Sequence, residues 1–406
     1  MWKMERYFLG MKSNLAVLIT SKMVYRVFYF LLAVCFLSAG TVEAQLLNIP
    51  DEEDRKGGVH YSLVPLLGFS SDTGIIGGAL FQRFNYGEGR SPFLSNLKID
   101  AIVSTNADLL SEINYQRTRT LGTDIRSEIS LIAERYRQAH YFGIGNQTNF
   151  DQDLYDEDFF LYEKRIIDVS YRARKTLTEY GFNGTFDFFS VVGVSYLNAL
   201  QRSDESLFAI EDPTGDQKNR LNSLGIGFIA EDRDSEFNPT EGYRYEIGIE
   251  TSGAFTFSEF DFSRLHGELR HYVEILPDIV IAQKISGVHI LGNAPFWKKA
   301  SLGDKDGLRG YHFDRFLGES SILHILEART WLFSFFDDEI RIGGQLFWDS
   351  GRVFSDFDSK GFFDNWNHSF GAGGAISLFN PDFIVRGDVG YSNEAVRIYA
   401  GVGYIF

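Results

Sequence analysis

The sequence predicts an all-β protein: a transmembrane, antiparallel, up-and-down β-barrel of about 16 strands. Three observations predict it. Apolar and polar side chains alternate with period two from about Val59 to the end. Aromatic residues make up 16% of the chain, with 38 Phe and 20 Tyr, beside 40 Gly and only 8 Pro. And beyond residue 44 no apolar run approaches the roughly 20 residues a membrane-spanning helix needs. Inside lipid only helices and closed barrels satisfy their own backbone groups, so a membrane chain without such helices must be a barrel.

In chain order, the first element reads as an export signal. Lys3, Arg6, Lys12, Lys22 and Arg26 give a basic lead, residues 27–37 are apolar, and Val42-Glu43-Ala44 has the spacing of a cleavage site. The expected domains are therefore a signal peptide at 1–44, a short periplasmic leader at 45–57 and an outer-membrane barrel at 58–406. A retained anchor is the competing reading of the first segment, and Met11 or Met23 are alternative starts. Cys35, the only cysteine, follows Val34 rather than the small residue of a lipoprotein site. Read as part of the signal, it leaves the mature chain without disulfides or thiolate metal sites. With 39 basic against 55 acidic residues the net charge is −16, which argues against nucleic acid as a partner.

Strands are expected to start near residues 59, 75, 94, 107, 121, 158, 181, 220, 241, 260, 278, 321, 338, 367, 382 and 395. In residues 243–251, Tyr243, Tyr245, Ile247 and Ile249 share one face, and Arg244, Glu246, Gly248 and Glu250 the other. Residues 340–349 set Ile340, Ile342, Leu346 and Trp348 against Arg341, Gln345 and Asp349; residues 383–391 set Phe383, Val385, Val389 and Tyr391 against Arg386 and Asp388. The last segment sets Val396, Ile398, Val402, Tyr404 and Phe406 against Arg397, Tyr399, Gly401 and Gly403. A soluble sandwich gives the same alternation. Full charges on one face and aromatics on the other, strand after strand, favour a wet lumen and a lipid-facing wall. Turn chemistry marks Ser71-Asp72-Thr73-Gly74, Asn238-Pro239-Thr240-Glu241-Gly242 and Asn380-Pro381-Asp382, with longer excursions near 136–157, 198–219 and 291–320.

The most specific signals lie in the C-terminal third. Gly307-Leu308-Arg309-Gly310-Tyr311 sits in the longest late loop, followed by Glu327-Ala328-Arg329, Phe347-Trp348-Asp349-Ser350-Gly351, Ser369-Phe370-Gly371-Ala372-Gly373 and Arg386-Gly387-Asp388. Asp232-Arg233-Asp234 with Phe237-Asn238-Pro239-Thr240-Glu241-Gly242 precedes them. In this order the motifs resemble the BamA/TamA superfamily of outer-membrane barrels, also called the bacterial surface antigen family, over roughly residues 220–406. Upstream the likeness rests on strand pattern and on Tyr141-Phe142-Gly143-Ile144-Gly145-Asn146. The resemblance implies a loop folded into the lumen, with Leu308, Arg309, Gly310 and Tyr311 as its motif and Leu308 where Val or Ile is usual. It also implies that Arg309 meets inward carboxylates mapping onto Glu327 and Asp349. A guanidinium withdrawn from bulk water needs such partners on physical grounds as well. The end of the chain, with Tyr399, Gly401, Tyr404 and Phe406, resembles the signal by which barrel precursors are recognised by the barrel-assembly machinery and inserted.

The resemblance implies a role in inserting or transporting proteins or lipids at the bacterial outer membrane, with the bilayer as constant partner. Residues 45–57 leave no room for a POTRA domain, so the likeness is to a member lacking them, and a separate periplasmic subunit becomes an expected partner. The alternative is a passive or gated channel on the same scaffold, since function belongs to sites rather than folds. No nucleophile elbow, zinc-protease, P-loop or EF-hand motif is present, so an enzyme and a cofactor are not expected. His266 and His271, five apart on a strand, face opposite walls, and no metal site is expected. Glu246, Glu250, Asp349 and Asp388 are read as lumen charge balancing Arg244, Arg341 and Arg386.

Overall fold

The computed structural model describes residues 58–70, 74–87, 93–106, 108–181, 184–303, 307–336, 339–355, 362–378 and 384–406. The expected signal peptide, the leader, the Ser71-Asp72-Thr73 turn and Asn380-Pro381-Asp382 lie outside them. Sixteen strands pair antiparallel in chain order: β1 (Gly58–Ser70), β2 (Gly74–Gly87), β3 (Ser95–Ser104), β4 (Leu109–Arg117), β5 (Ile125–His140), β6 (Leu161–Tyr180), β7 (Gly184–Gln201), β8 (Lys218–Arg233), β9 (Gly242–Ser252), β10 (Phe262–Leu276), β11 (Ile279–Gly292), then β14 (Ser320–Phe335), β15 (Ile340–Phe354), β16 (Asn367–Leu378), β17 (Ile384–Tyr391) and β18 (Val396–Val402). Two short strands, β12 (Ala300–Leu302) and β13 (Phe316–Gly318), form their own small sheet within the connection from β11 to β14. The first and last strands lie side by side and bring the ends of the sheet together. No backbone ladder joins them among the described residues.

All sixteen expected starts fall within four residues of the observed ones. The strands run deeper into the expected excursions than the sequence suggested, β5 to His140 and β7 to Gln201. Connections alternate between two ends. The 141–160, 202–217, 253–261 and 293–319 segments lie at one end; the turns between β8 and β9 and between β10 and β11 lie at the other. By the same parity the β1–β2 connection belongs to the long-loop end, although its turn chemistry grouped it with the short ones.

The two faces sort as the alternation predicts. Ile247, Leu346, Val389 and Tyr391 point outward and are exposed, Leu346 at 65%. Arg244, Glu246, Asp349, Arg386 and Asp388 point inward and are paired. Along β6 to β11 the inner wall is a lattice of opposite charges in which Arg172 meets Glu246 at 2.9 Å, Arg174 meets Glu231 at 2.9 Å, and Arg270 meets Glu268 at 2.6 Å. Register sets Glu246 opposite Glu268 and Arg244 opposite Arg270. Like charges facing each other are unfavourable, and the diagonal Arg244–Glu268 contact at 3.3 Å offsets this.

One face assignment is corrected. Tyr404 and Phe406 do not continue the outward row of Val396 and Ile398. Strand pairing stops at Val402, and Gly403 at φ +78° turns the chain inward. Arg329 on β14 then stacks on Tyr404 and Phe406, 4.1 and 4.8 Å from the ring centres, and donates to the Phe406 backbone oxygen at 3.0 Å. Phe406 is buried beside Tyr272, inside the barrel.

Candidate functional site

The largest apolar core of the described residues lies within the lumen, between the wall and the 293–319 loop. Leu302, Leu308, Tyr311 and Phe316 from the loop pack on Leu323, Ile325, Val353 and Phe406. A lipid-facing wall cannot also hold the interior together, so the inserted loop supplies the apolar filling that water would otherwise displace. Leu308 adopts φ +62° and Gly310 φ +100°, which reverses the chain at the tip. Gly310 packs against Gly390 of β17, where an added Cβ would lie 2.8 Å from the Gly310 nitrogen. Only glycine permits this approach.

The reversal delivers Arg309 to the wall, fully buried. Its Nε and Nη2 donate to the two carboxylate oxygens of Asp349 at 2.9 and 2.7 Å, and its backbone N–H adds a third bond at 3.0 Å. Nη1 lies 2.8 Å from Glu327 and 3.7 Å from Asp388. The guanidinium carbon stands 3.3 Å above the Phe347 ring centre. Arg329 binds Glu327 at 2.8 Å, Arg386 binds Asp388 at 2.6 Å, and Gln345 also donates to Asp388. Three guanidiniums thus face three carboxylates in a formally neutral cluster. Burial alone would favour the neutral form of Arg309, but Asp349, Glu327 and Asp388 outweigh it and hold its pKa above the ordinary value.

The structure brings Leu308, Arg309, Gly310 and Tyr311 together with Glu327 and Asp349. Tyr399 belongs to the same assembly: its hydroxyl accepts from the Gly310 N–H at 2.9 Å. Gly401 lies on the inward face beside Arg386, with no direct part in the cluster. Tyr404 and Phe406 flank Arg329 on its far side. His266 points inward to Glu246 at 3.5 Å while His271 points outward.

Sequence reasoning missed how completely the loop grips the last hairpin. Ser392 donates to the Gly310 carbonyl at 2.7 Å, and Tyr311 donates to Asn393 at 2.6 Å. Arg397 of β18 donates to the His312 ring, with Nε2 at 2.9 Å. Arg315, buried, forks onto Glu394 at 2.7 and 2.8 Å and reaches Thr148 of the 141–160 loop with Oγ1 at 2.6 Å. His312 is also enclosed by the rings of His140, Phe142, Phe150 and Tyr155. Burial first, reinforced by Arg315 and opposed by Glu394, pulls its pKa down to about 4. The ring is therefore neutral near pH 7, as accepting from Arg397 requires. One sequence signal was available: a second arginine six residues beyond the first in the same loop. Glu394 carries no such mark.

At the long-loop end other loops close over this assembly. The Gly145 N–H donates to the Leu317 carbonyl at 2.8 Å, and Asn146 accepts from the Val353 N–H at 3.0 Å and from Asn367 at 3.1 Å. Tyr141 donates to Glu211 at 2.8 Å, at the end of a short helix, α1 (Leu207–Glu211), whose Phe208 stacks on Tyr162. Tyr141 and Asn146 are the ends of the Tyr-Phe-Gly-Ile-Gly-Asn run, whose place in the molecule is now plain.

A sixteen-stranded antiparallel wall with a loop drawn into its lumen defines a class of outer-membrane barrels. The Omp85 superfamily domain matches residues 95–406, and the chain belongs to that superfamily. Its fold is similar to that of BamA from Haemophilus ducreyi lacking POTRA domains 1-3, at 13% identity and a TM-score of 0.54, over 84% of this chain and 70% of that one. It is similar also to CdiB from Escherichia coli (10% identity, TM-score 0.57, 85% of this chain and 62% of that one). CdiB from Acinetobacter baumannii gives 10% identity and a TM-score of 0.51 over 86% and 66%. The chain therefore spans less than two thirds of either CdiB chain. No curated protein matches it. Its place is the bacterial outer membrane.

Proposed function

We propose that this barrel assists the insertion or passage of polypeptides or lipids at the outer membrane through the β1–β18 seam, with the 293–319 loop as the element that holds the seam shut. The observation that carries the reading is the continuous bonding of the loop to the last hairpin: Gly310, Tyr311, His312 and Arg315 each engage Ser392, Asn393, Glu394, Arg397 or Tyr399. A loop so attached cannot leave the lumen without breaking its bonds to the strand at the seam. In turn β18, paired with β17 but with no ladder to β1 among the described residues, has the loop as a second support through Arg397 and Tyr399. Arg309 fixes the loop from behind, on β14 and β15, so displacement must break a buried charge cluster and is rare without a partner. A steadily conducting channel is disfavoured by the same filling of the lumen.

The test is a tether. Cysteines at Tyr311 and Asn393, bridged by a short bis-methanethiosulfonate reagent in place of the lost ring, would lock loop to hairpin through reducible bonds; the only native cysteine is Cys35. In proteoliposomes supplied with an unfolded outer-membrane barrel client, the bridged variant is expected to lose most insertion activity and to recover it on reduction. Equal activity in both states would sink the gating role, and no activity in the untethered protein would sink the insertion role.

A further inference from the structure

The short-turn end holds a second inserted element, the connection between β8 and β9. We infer that the wall there carries a socket for a polypeptide segment presenting a carboxylate beside an aromatic ring, filled in this chain by its own Glu236-Phe237.

An antiparallel hairpin needs only about two connecting residues. This one spends residues 234–241, and it is closed on itself. The Asp234 carboxylate accepts from the N–H groups of Thr240 and Glu241 at 2.9 and 3.2 Å and from the Thr240 hydroxyl at 2.7 Å. Ser235 Oγ accepts from the N–H groups of Phe237 and Asn238 at 3.2 and 3.1 Å. The result is a rigid tip on a narrow neck. Beyond one bond from Arg233 of β8 to the Glu236 carbonyl at 3.4 Å, the tip's side chains reach across to other strands. Arg126, on β5, forks onto Glu236 at 2.7 and 3.0 Å, and Gln116 on β4 accepts a further bond from Arg126 at 2.7 Å. Phe237 meets Phe84 of β2 edge to face, with ring centres 5.6 Å apart, and lies 6.5 Å from Phe93. Arg126 stands over Phe93 at 5.1 Å, joining the charged and apolar halves of the socket. On its other side the tip borders a small cavity of about 60 Å³ lined also by Arg329, Trp331 and Tyr404.

The occupant reveals the recognition chemistry. A planar fork reads a carboxylate bidentately, and a two-ring cage reads an adjacent aromatic edge. Exposure separates this pair from the Arg309 cluster. The side chains of Arg126 and Glu236 are 22% and 25% exposed, against 0% for Arg309 and Asp349. Partly solvated pairs contribute little net affinity, so the tip is held largely by the effective concentration its tether confers. Such an occupant exchanges for an incoming segment of like chemistry. The inference stands apart from the insertion reading and would survive if the barrel inserted nothing.

The experiment uses the full chain in nanodiscs and a fluorescein-labelled peptide copying residues 233–242. Glu236→Gln with Phe237→Ala vacates the socket. This variant is expected to bind the peptide at least about tenfold more tightly than wild type, a difference of about 1.4 kcal/mol. Adding Arg126→Ala is expected to abolish that gain, and a peptide carrying the same Gln and Ala changes is expected not to bind. Heat-modifiable migration establishes that each variant is folded; if the double change is not, Phe237→Ala alone replaces it. Failure of a folded, vacated variant to bind, or binding indifferent to Arg126→Ala, overturns the socket. Equal competition by laurate reassigns it to fatty acids and overturns the peptide class.

Discussion

Replacing Arg309 by Ala removes one of three guanidiniums from a cluster whose three carboxylates, Glu327, Asp349 and Asp388, stay behind. All three are at most 2% exposed. The variant therefore leaves one net negative charge buried, with Asp349 losing both bonds from the guanidinium and keeping only the one from the backbone N–H of residue 309. Breaking a buried pair from one side costs about 3–5 kcal/mol, mostly the penalty of the charge left unpaired. Arg309→Lys keeps the charge but loses the fork and the flat contact with Phe347, for a cost of about 1–2 kcal/mol. Combining Arg309→Ala with Asp349→Asn removes charge from both sides, so the pair should cost less than the sum of the single changes, by about 1–3 kcal/mol. Urea unfolding of the refolded barrel in lipid, followed by tryptophan fluorescence and heat-modifiable migration, measures all three variants. A cost under about 1 kcal/mol for Arg309→Ala, or equal costs for Ala and Lys, would refute the reasoning.

Further outcomes follow from the same contacts. Gly310→Ala forces a side chain into φ +100° and within 2.9 Å of the Tyr391 backbone, so the loop tip should shift and channel openings become more frequent in planar bilayers. Tyr399→Phe removes the acceptor for the Gly310 N–H and should cost about 1–2 kcal/mol in the urea titration. His312 has its pKa lowered to about 4, so the unfolded chain takes up the proton first. Stability should accordingly fall as pH drops from about 6.5 toward 4, by about 2–3 kcal/mol, and His312→Phe should flatten that slope. Phe406→Ala should destabilise barrels refolded without any assembly machinery by about 3 kcal/mol, because the ring is buried in the lumen. A loss seen only during assembly in cells would assign Phe406 to recognition instead.

Most of the wall was legible in the sequence because strand geometry is local. Arg244 and Glu246 two residues apart, with Tyr245 and Ile247 between and beyond them, declare both faces without knowledge of any other strand. Arg309 was legible through its motif, and Asp349 through its place on a charged face. What the sequence hid is contact across the lumen. Glu394 reads as one more acidic turn residue until Arg315, 79 positions away, is seen against it. Glu236-Phe237 reads as turn filler until Arg126 is found 110 positions upstream. Tyr404 and Phe406 misled for another reason. Alternation continues on paper past Val402, but pairing ends there, and Arg329 offers both rings a better partner inside than lipid does outside.

The claim that the 293–319 loop keeps this barrel closed is tested most directly by single-channel conductance of the refolded protein in planar bilayers, wild type beside Arg309→Ala. The account predicts a wild type that is closed almost all the time, with rare irregular openings that become frequent in the variant. Large, steady openings in the wild type, unchanged by Arg309→Ala, would contradict it.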